Sequence, residues 1–211
     1  MRTRVKVCGI TRLDDARRAA DLGVDALGFV FWPGSPRCVP PGLAAEIAAA
    51  LPPCVATVGV FVNQPLDEIA AVASAVGLSA VQLHGDEAPE TWGRVPGRCI
   101  KAVGVRTGFD VAALATWPPN VWPLLDVDDP ARRGGTGRVV DWEVAARAAR
   151  VRRIILAGGL DPSNVGAAIA RVRPFAVDVS SGVELEPGIK DPDLVRAFVE
   201  GVAAADAAPL P

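Results

Sequence analysis

Short apolar runs rich in valine, isoleucine and leucine alternate with alanine-rich stretches whose apolar residues recur at helical spacing. The runs predict strands at about 4–8, 26–31, 56–62, 79–84, 99–104, 122–127, 153–157 and 175–180. The stretches between them predict helices at about 13–22, 41–50, 66–76, 87–93, 108–116, 141–149, 163–172 and 191–204. Some helix starts carry local signals. Thr11 stands ahead of Asp14 and Asp15, and Asp161-Pro162-Ser163 precedes an apolar stripe. Eight strand–helix units in about 200 residues, with no linker or change of composition between them, predict an α/β chain folded as a single (β/α)8 TIM barrel. A doubly wound open sheet is the alternative, but the GxGxxG that usually follows its first strand is missing. The barrel is set at residues 1–205, and the tail "DAAPLP" (206–211) is expected to fray.

The polar residues inside the strands carry more information than the apolar ones. Lys6 and Cys8 share parity in "KVCGIT", as do Gln82 and His84 in "VQLH", and Asp178 and Ser180 in "VDVS". Lys101 interrupts "CIKAV", and Asp126 closes "WPLLD". Helices cover the outside of a parallel barrel, so polar side chains are expected to point inward, with Lys6 and Lys101 balancing Asp126 and Asp178. Lys6 and Asp178 lie deep in their strands and fit a structural ion pair equally well. Cys8, His84 and Asp126 close theirs at the carboxyl ends, where barrel enzymes place their chemistry.

Composition narrows the partners. The chain has 211 residues, half of them hydrophobic, and a domain of that size buries roughly 70% of its unfolded surface. With 22 basic and 24 acidic residues and no basic stripe, neither nucleic acid nor an anionic membrane is expected as a main partner. No run of 18 apolar residues occurs and the start lacks a signal-peptide core, so a cytoplasmic location is expected. Cysteines at 8, 38, 54 and 99 show no CxxC pair, which predicts neither a metal cluster nor a disulfide framework. His84 is the single histidine, so proton transfer must otherwise use carboxylates, thiols or lysines.

Two loops suit a phosphate. The seventh strand ends in "LAGGLDPSN" (156–164) and the eighth in "VSSGV" (179–183), and glycines beside a helix start leave free N–H groups. Loops seven and eight are where barrels commonly bind phosphate. "DDPARRGGTGR" (128–138) reads as a flap hinged on Gly134, Gly135 and Gly137. "FWPGSPRCV" (31–39) brings Arg37, a residue able to grip a carboxylate, near the mouth.

Taken in order, "KVCGIT", "GFVFWPGSPR", "VGVFVN", "VQLHG", "KAVGV", "LLD", "GGTG" with "DW", "LAGGL" and "FAVDVSSGVE" resemble the phosphoribosylanthranilate isomerases of tryptophan biosynthesis over essentially the whole chain. The resemblance implies an Amadori rearrangement with Cys8 as general base and Asp126 as general acid, and no metal or redox cofactor. It places Arg37 on the anthranilate carboxylate and the amides around Gly158, Gly159, Ser181 and Gly182 on the phosphate. His84, Asp178 and Ser180 are counted with the substrate-binding set, His84 as a mouth-lining residue. A thiol that serves as base needs its pKa lowered, and Lys6 or loop amides could do this. The position after Arg37 is often aromatic in the family, whereas here it is Cys38, a departure that bears on the anthranilate pocket. A histidine-pathway isomerase would carry a carboxylate where Cys8 stands, and a barrel that only binds a phosphorylated ligand would not need both Cys8 and Asp126. The expected partner is a small phosphorylated substrate, and a monomer is favoured over a homodimer.

Overall fold

A computed structural model describes residues 2–105, 108–127 and 140–208. Eight parallel strands close into a barrel in sequence order: β1 (Arg4–Cys8), β2 (Ala26–Val30), β3 (Ala56–Phe61), β4 (Ala80–Leu83), β5 (Arg98–Val105), β6 (Val121–Val127), β7 (Ile155–Leu156) and β8 (Ala176–Val179), with β8 pairing back onto β1. Around them lie α1 (Leu13–Asp21), α2 (Pro41–Ala49), α3 (Leu66–Val76), the one-turn α4 (Pro89–Trp92), α5 (Trp142–Val151), α6 (Val165–Val172) and α7 (Pro192–Ala207). A short antiparallel pair, β9 (Glu184–Glu186) and β10 (Ile189–Lys190), is inserted between β8 and α7.

Local chemistry sets several boundaries. Asp191 caps α7, accepting from Asp193 N at 2.8 Å and Leu194 N at 3.3 Å, with Pro192 at the first helical position. Asp141 caps α5 in the same way. α3 stops at Gly77, which takes the left-handed conformation at φ 72°. The expected Thr11 cap is not made: Arg12 occupies the N-cap of α1 with no side-chain bond, and Thr11 Oγ1 instead donates to Gly188 O. Asp161 Oδ1 holds Ser163 N and Asn164 N, so α6 begins at Val165, two residues later than the pattern suggests. The helix expected at 108–116 is a 3₁₀ turn, Ala112–Thr116.

The final helix passes the expected domain end at 205. Asp206 accepts from Thr3 N at 2.6 Å and Thr3 Oγ1 at 2.7 Å, so this part of the expected frayed tail is helical and tied to the start of β1. The rest of that tail beyond Ala208, and the flap residues Gly134, Gly135 and Gly137, lie outside the described residues.

Strand parity divides the core in two. Outward residues such as Val7, Leu27, Phe29, Phe61, Val81, Leu83, Leu125 and Val177 pack under the helices. Inward residues Val58, Ala80, Ile100, Ala102, Leu124, Ile155, Ala157 and Ala176 form a separate apolar floor inside the barrel. Above this floor the inward positions of β1, β4, β6 and β8 turn polar, while Val30 and Val60 keep an apolar patch beside Cys8. Among the described residues, no helix is long and apolar enough to cross a membrane.

Candidate active site

The register of β1 against its neighbours builds the first half of the site. Lys6 lies opposite Asp178 on β8 and Ala26 on β2, and Cys8 lies opposite Gly28. Lys6 Nζ donates to Asp178 Oδ1 at 2.9 Å, with the two side chains 4% and 8% exposed. Lys6 also stands beside the Cys8 thiol, two residues along on the same inward face. Gly28 makes room for this cluster. A Cβ there would stand 2.7 Å from Cys8 Sγ and 3.1 Å from both Cys8 Cα and Lys6 Nζ.

Burial pushes the Cys8 thiol up; Lys6 and Lys190 oppose that shift, while Asp178 adds to it, and the net direction is upward. The expected lowering is therefore not met, because desolvation outweighs the nearby cations. Burial likewise raises Asp178, with Lys6 offsetting only part of the shift. Burial opposes the charge on Lys6, but Asp178 and Cys8 together more than reverse it, so its pKa is raised and it remains the cation of the cluster.

The second half of the site comes from β4 and β6. Asp126 is buried at the mouth, and its Oδ1 accepts from its own neighbour, Val127 N, at 2.7 Å. His84, just past β4, brings Nε2 to 3.4 Å from Asp126 Oδ2. Gln82 lies below it in the same inward row, with Nε2 at 3.1 Å from His84 Nδ1. His84 thus reaches the carboxylate expected to act as acid. Asp126 and His84 also act electrostatically on Asp178, which joins the two halves into one charged cluster.

Lys101 is a correction. It pairs in register with Leu83 and Pro123, whereas Ile100 and Ala102 belong to the inner floor, so Lys101 points outward. There it donates to Glu87 Oε2 at 2.7 Å and Gly85 O at 2.6 Å, buried under the loop that follows His84. Glu87 also accepts from Asn63 N and Gly85 N. The cation inside the barrel is Lys6, and Lys101 braces a loop.

The glycine loops after β7 and β8 nest against one another. A Cβ on Gly182 would stand 2.0 Å from Leu160 O, and one on Gly158 would stand 2.9 Å from Asp126 Oδ1. Gly158 and Gly159 both have positive φ, at 79° and 67°. The N–H groups of Gly158, Gly159, Ser181 and Gly182 have no partner among the described residues. Ser180 sits at the rim, its Oγ 3.2 Å from where a Cβ on Gly9 would lie. Arg37 crosses that same glycine and bonds Glu184 with both Nε and Nη2. Cys38 is exposed.

With a barrel, an inward thiol, a carboxyl group at the end of β6 and two glycine loops in place, similarity to known proteins decides the family. The model of N-(5'-phosphoribosyl)anthranilate (PRA) isomerase matches residues 5–201. The chain belongs to the N-(5'-phosphoribosyl)anthranilate isomerase family. It is 52% identical over 197 residues to the N-(5'-phosphoribosyl)anthranilate isomerase of Citrifermentans bemidjiense, covering 93% of this chain and 95% of that one. The phosphoribosyl anthranilate isomerase structure from Thermotoga maritima superposes with a TM-score of 0.89 at 44% identity, over 96% of this chain and 99% of that one. A further family structure, at 43% identity and TM-score 0.85 over 96% and 99% of the two chains, is a complex with reduced 1-(o-carboxyphenylamino)-1-deoxyribulose 5-phosphate.

Within this PRA isomerase framework, the expected set Cys8, His84, Asp126, Asp178 and Ser180 lies at or just below the barrel mouth, with Arg37, Gly158, Gly159, Ser181 and Gly182 at its rim. Three residues that support this set were missed: Gly28, Glu184 and Lys190. Glycine at an inward strand position gives a signal, since it adds nothing to a core. Glu184 and Lys190 belong to a hairpin whose polar residues read as ordinary surface.

Proposed function

We propose that Cys8 and Asp126 are the base and acid of the family's reaction, the Amadori rearrangement of N-(5'-phosphoribosyl)anthranilate to 1-(2-carboxyphenylamino)-1-deoxyribulose 5-phosphate in tryptophan biosynthesis. Asp126 donates a proton to the furanose ring oxygen, and the C1'–O4' bond breaks to leave an iminium. The Cys8 thiolate then takes the C2' proton, and that electron pair forms the C1'=C2' bond of an enolamine. Tautomerisation delivers a proton to C1' and leaves the ketone at C2'. The observation that carries this reading is the placement of the two groups at the carboxyl ends of β1 and β6, linked through the buried Lys6–Asp178 pair.

Lys6 is the residue placed to stabilise the thiolate, since its buried charge lies beside the sulfur and is the largest influence lowering the thiol against its burial. His84 faces Asp126 and orients its Oδ2, while Val127 N holds Oδ1. The amides of Gly158, Gly159, Ser181 and Gly182, without a partner among the described residues, support a phosphate at the nested loops. Arg37, on the rim beside Ser180, takes the anthranilate carboxylate, and Asp178 and Ser180 complete the wall below it. The small exposed Cys38 beside Arg37 leaves the aromatic ring less covered than a large side chain would.

The test follows the loss of substrate fluorescence on addition of purified protein. Cys8→Ser and Asp126→Asn should each lower turnover by about 10²-fold or more with an unchanged melting curve. Full activity in the Cys8→Ser protein would remove the assigned base. The working unit is proposed to be a monomer acting in the cytoplasm. A sedimentation measurement tests the former, because the Thermotoga maritima isomerase is described as dimeric, with monomers generated from it.

A further inference from the structure

Two cations at the rim, Arg37 and Lys190, share one buried anion, Glu184. None of the three is needed for the proton transfers. Glu184 opens β9, and its side chain is 3% exposed. Its carboxylate accepts from Arg37 Nε at 2.9 and 3.1 Å, from Arg37 Nη2 at 2.6 Å, from Lys190 Nζ at 2.7 Å and from Gly188 N at 3.2 Å. Lys190 Nζ in turn donates to the backbone oxygens of Cys8 at 2.6 Å and Ser180 at 3.3 Å. The hairpin is thereby fastened to the ends of β1 and β8.

The arginine is fixed along its length as well as at its head. A Cβ on Gly9 would stand 2.6 Å from Arg37 Cδ and 3.3 Å from Cγ, so the side chain lies flat over the turn that leaves β1. Glu184 occupies the Nε–Nη2 edge of the guanidinium, and the Nη1–Nη2 edge is the one left for a second planar partner. Burial opposes ionisation of Glu184, but Arg37 and Lys190 more than reverse this, so the carboxyl is held below its ordinary range.

We propose that Glu184 is a positioning residue which, anchored by Lys190, sets Arg37 to select substrates with a carboxylate on the aromatic amine. This rests on the reading of Arg37 as the carboxylate-binding residue. A glutamine at 184 keeps one acceptor oxygen and cannot hold both Nε and Nη2 as a charged fork does. The arginine would then lose its fixed second edge while the acid and base are left in place.

The test compares N-(5'-phosphoribosyl)anthranilate with N-(5'-phosphoribosyl)aniline, which lacks only the carboxylate. Glu184→Gln should lower the kcat/KM preference for the carboxylated substrate by about tenfold or more, through KM, while turnover of the aniline compound stays within about twofold. Glu184→Gln with Lys190→Met removes one cation with the anion and should give the same loss of preference without an excess of buried positive charge. Arg37→Lys keeps a charge for Glu184 but has no second edge, and should lose the preference too. If Arg37→Ala keeps the wild-type preference, the reading of Arg37 itself fails. If Arg37→Ala loses the preference but either Arg37→Lys or the compensated double variant keeps it, the positioning role is overturned. An equal loss on both substrates in Glu184→Gln also overturns it.

Discussion

Replacing Lys6 by methionine separates what the buried pair does for folding from what it does for chemistry. At 2.9 Å, in an effective dielectric near 20, the attraction between Lys6 and Asp178 is about 6 kcal/mol before desolvation is subtracted. Removing one partner leaves Asp178 ionised without compensation or forces it to take a proton, and truncating one half of such a buried pair costs about 3–5 kcal/mol. Lys6→Met should therefore lose about that much in urea unfolding. Lys6→Met with Asp178→Asn removes both charges and should recover most of the loss, leaving it within about 1 kcal/mol of the parent. The thiol should not recover. Lys6 is the largest influence that lowers Cys8 against its burial, so without it the thiolate is rarer at any working pH. Iodoacetamide alkylation of Cys8, measured at pH 8 after the exposed Cys38 and Cys54 are changed to serine, should slow by up to about tenfold for each pKa unit gained. Turnover should fall with it. A Lys6→Met protein destabilised by less than about 1 kcal/mol, or a double variant whose Cys8 alkylates at the parent rate, would refute this account of the cluster.

Other substitutions and titrations test the remaining framework. Gly28→Ala places a methyl group against Cys8 Sγ and Lys6 Nζ and should cost about 1–3 kcal/mol in urea unfolding, with turnover down about tenfold or more. Gly42→Ala, in the open at the start of α2, should instead stabilise by about 0.4–1 kcal/mol, which shows the first effect to be local. Cys99 is raised by burial from 9.0 to about 12, so its share of stability is complete below about pH 9 and is lost as pH climbs towards 12. Cys99→Ala should flatten that alkaline fall in a thermal melting series. Glu184 lies below its ordinary 4.5, so its contribution is complete above that value and disappears as pH falls through the lower folded one. The gap in urea midpoint between the parent and Glu184→Gln should thus be widest above pH 4.5 and should narrow as the pH falls below it.

Much of this was legible in the sequence because a closed parallel barrel enforces alternation. Lys6, Cys8, Gln82 and Asp178 face inward as their parity predicts, and Asp126 and His84 meet at the rim. Lys101 failed the same rule for a simple reason: in "CIKAV" both faces are equally apolar, so parity alone cannot say which one holds the cation. The alternating pattern also says nothing about how far burial competes with a neighbouring charge, which is why the direction of the Cys8 shift was missed. Glu184 and Lys190 come from a hairpin far along the chain, and their meeting with Arg37 depends on three-dimensional closure that no local spacing encodes. The 3₁₀ turn at Ala112–Thr116 shows a smaller limit, since an alanine-rich stretch satisfies either helix type over one or two turns.

The apolar floor beneath the charged ring has a consequence for redesign. Val58, Ala80, Ile100, Leu124, Ile155 and Ala176 close the cylinder with hydrocarbon alone, on a different level from Lys6, Asp178, His84 and Asp126. An engineer seeking a new sugar-phosphate chemistry on this scaffold can therefore exchange the upper tier in matched, charge-balanced groups. The lower tier goes on supplying the cohesion that a swap at the top would otherwise drain.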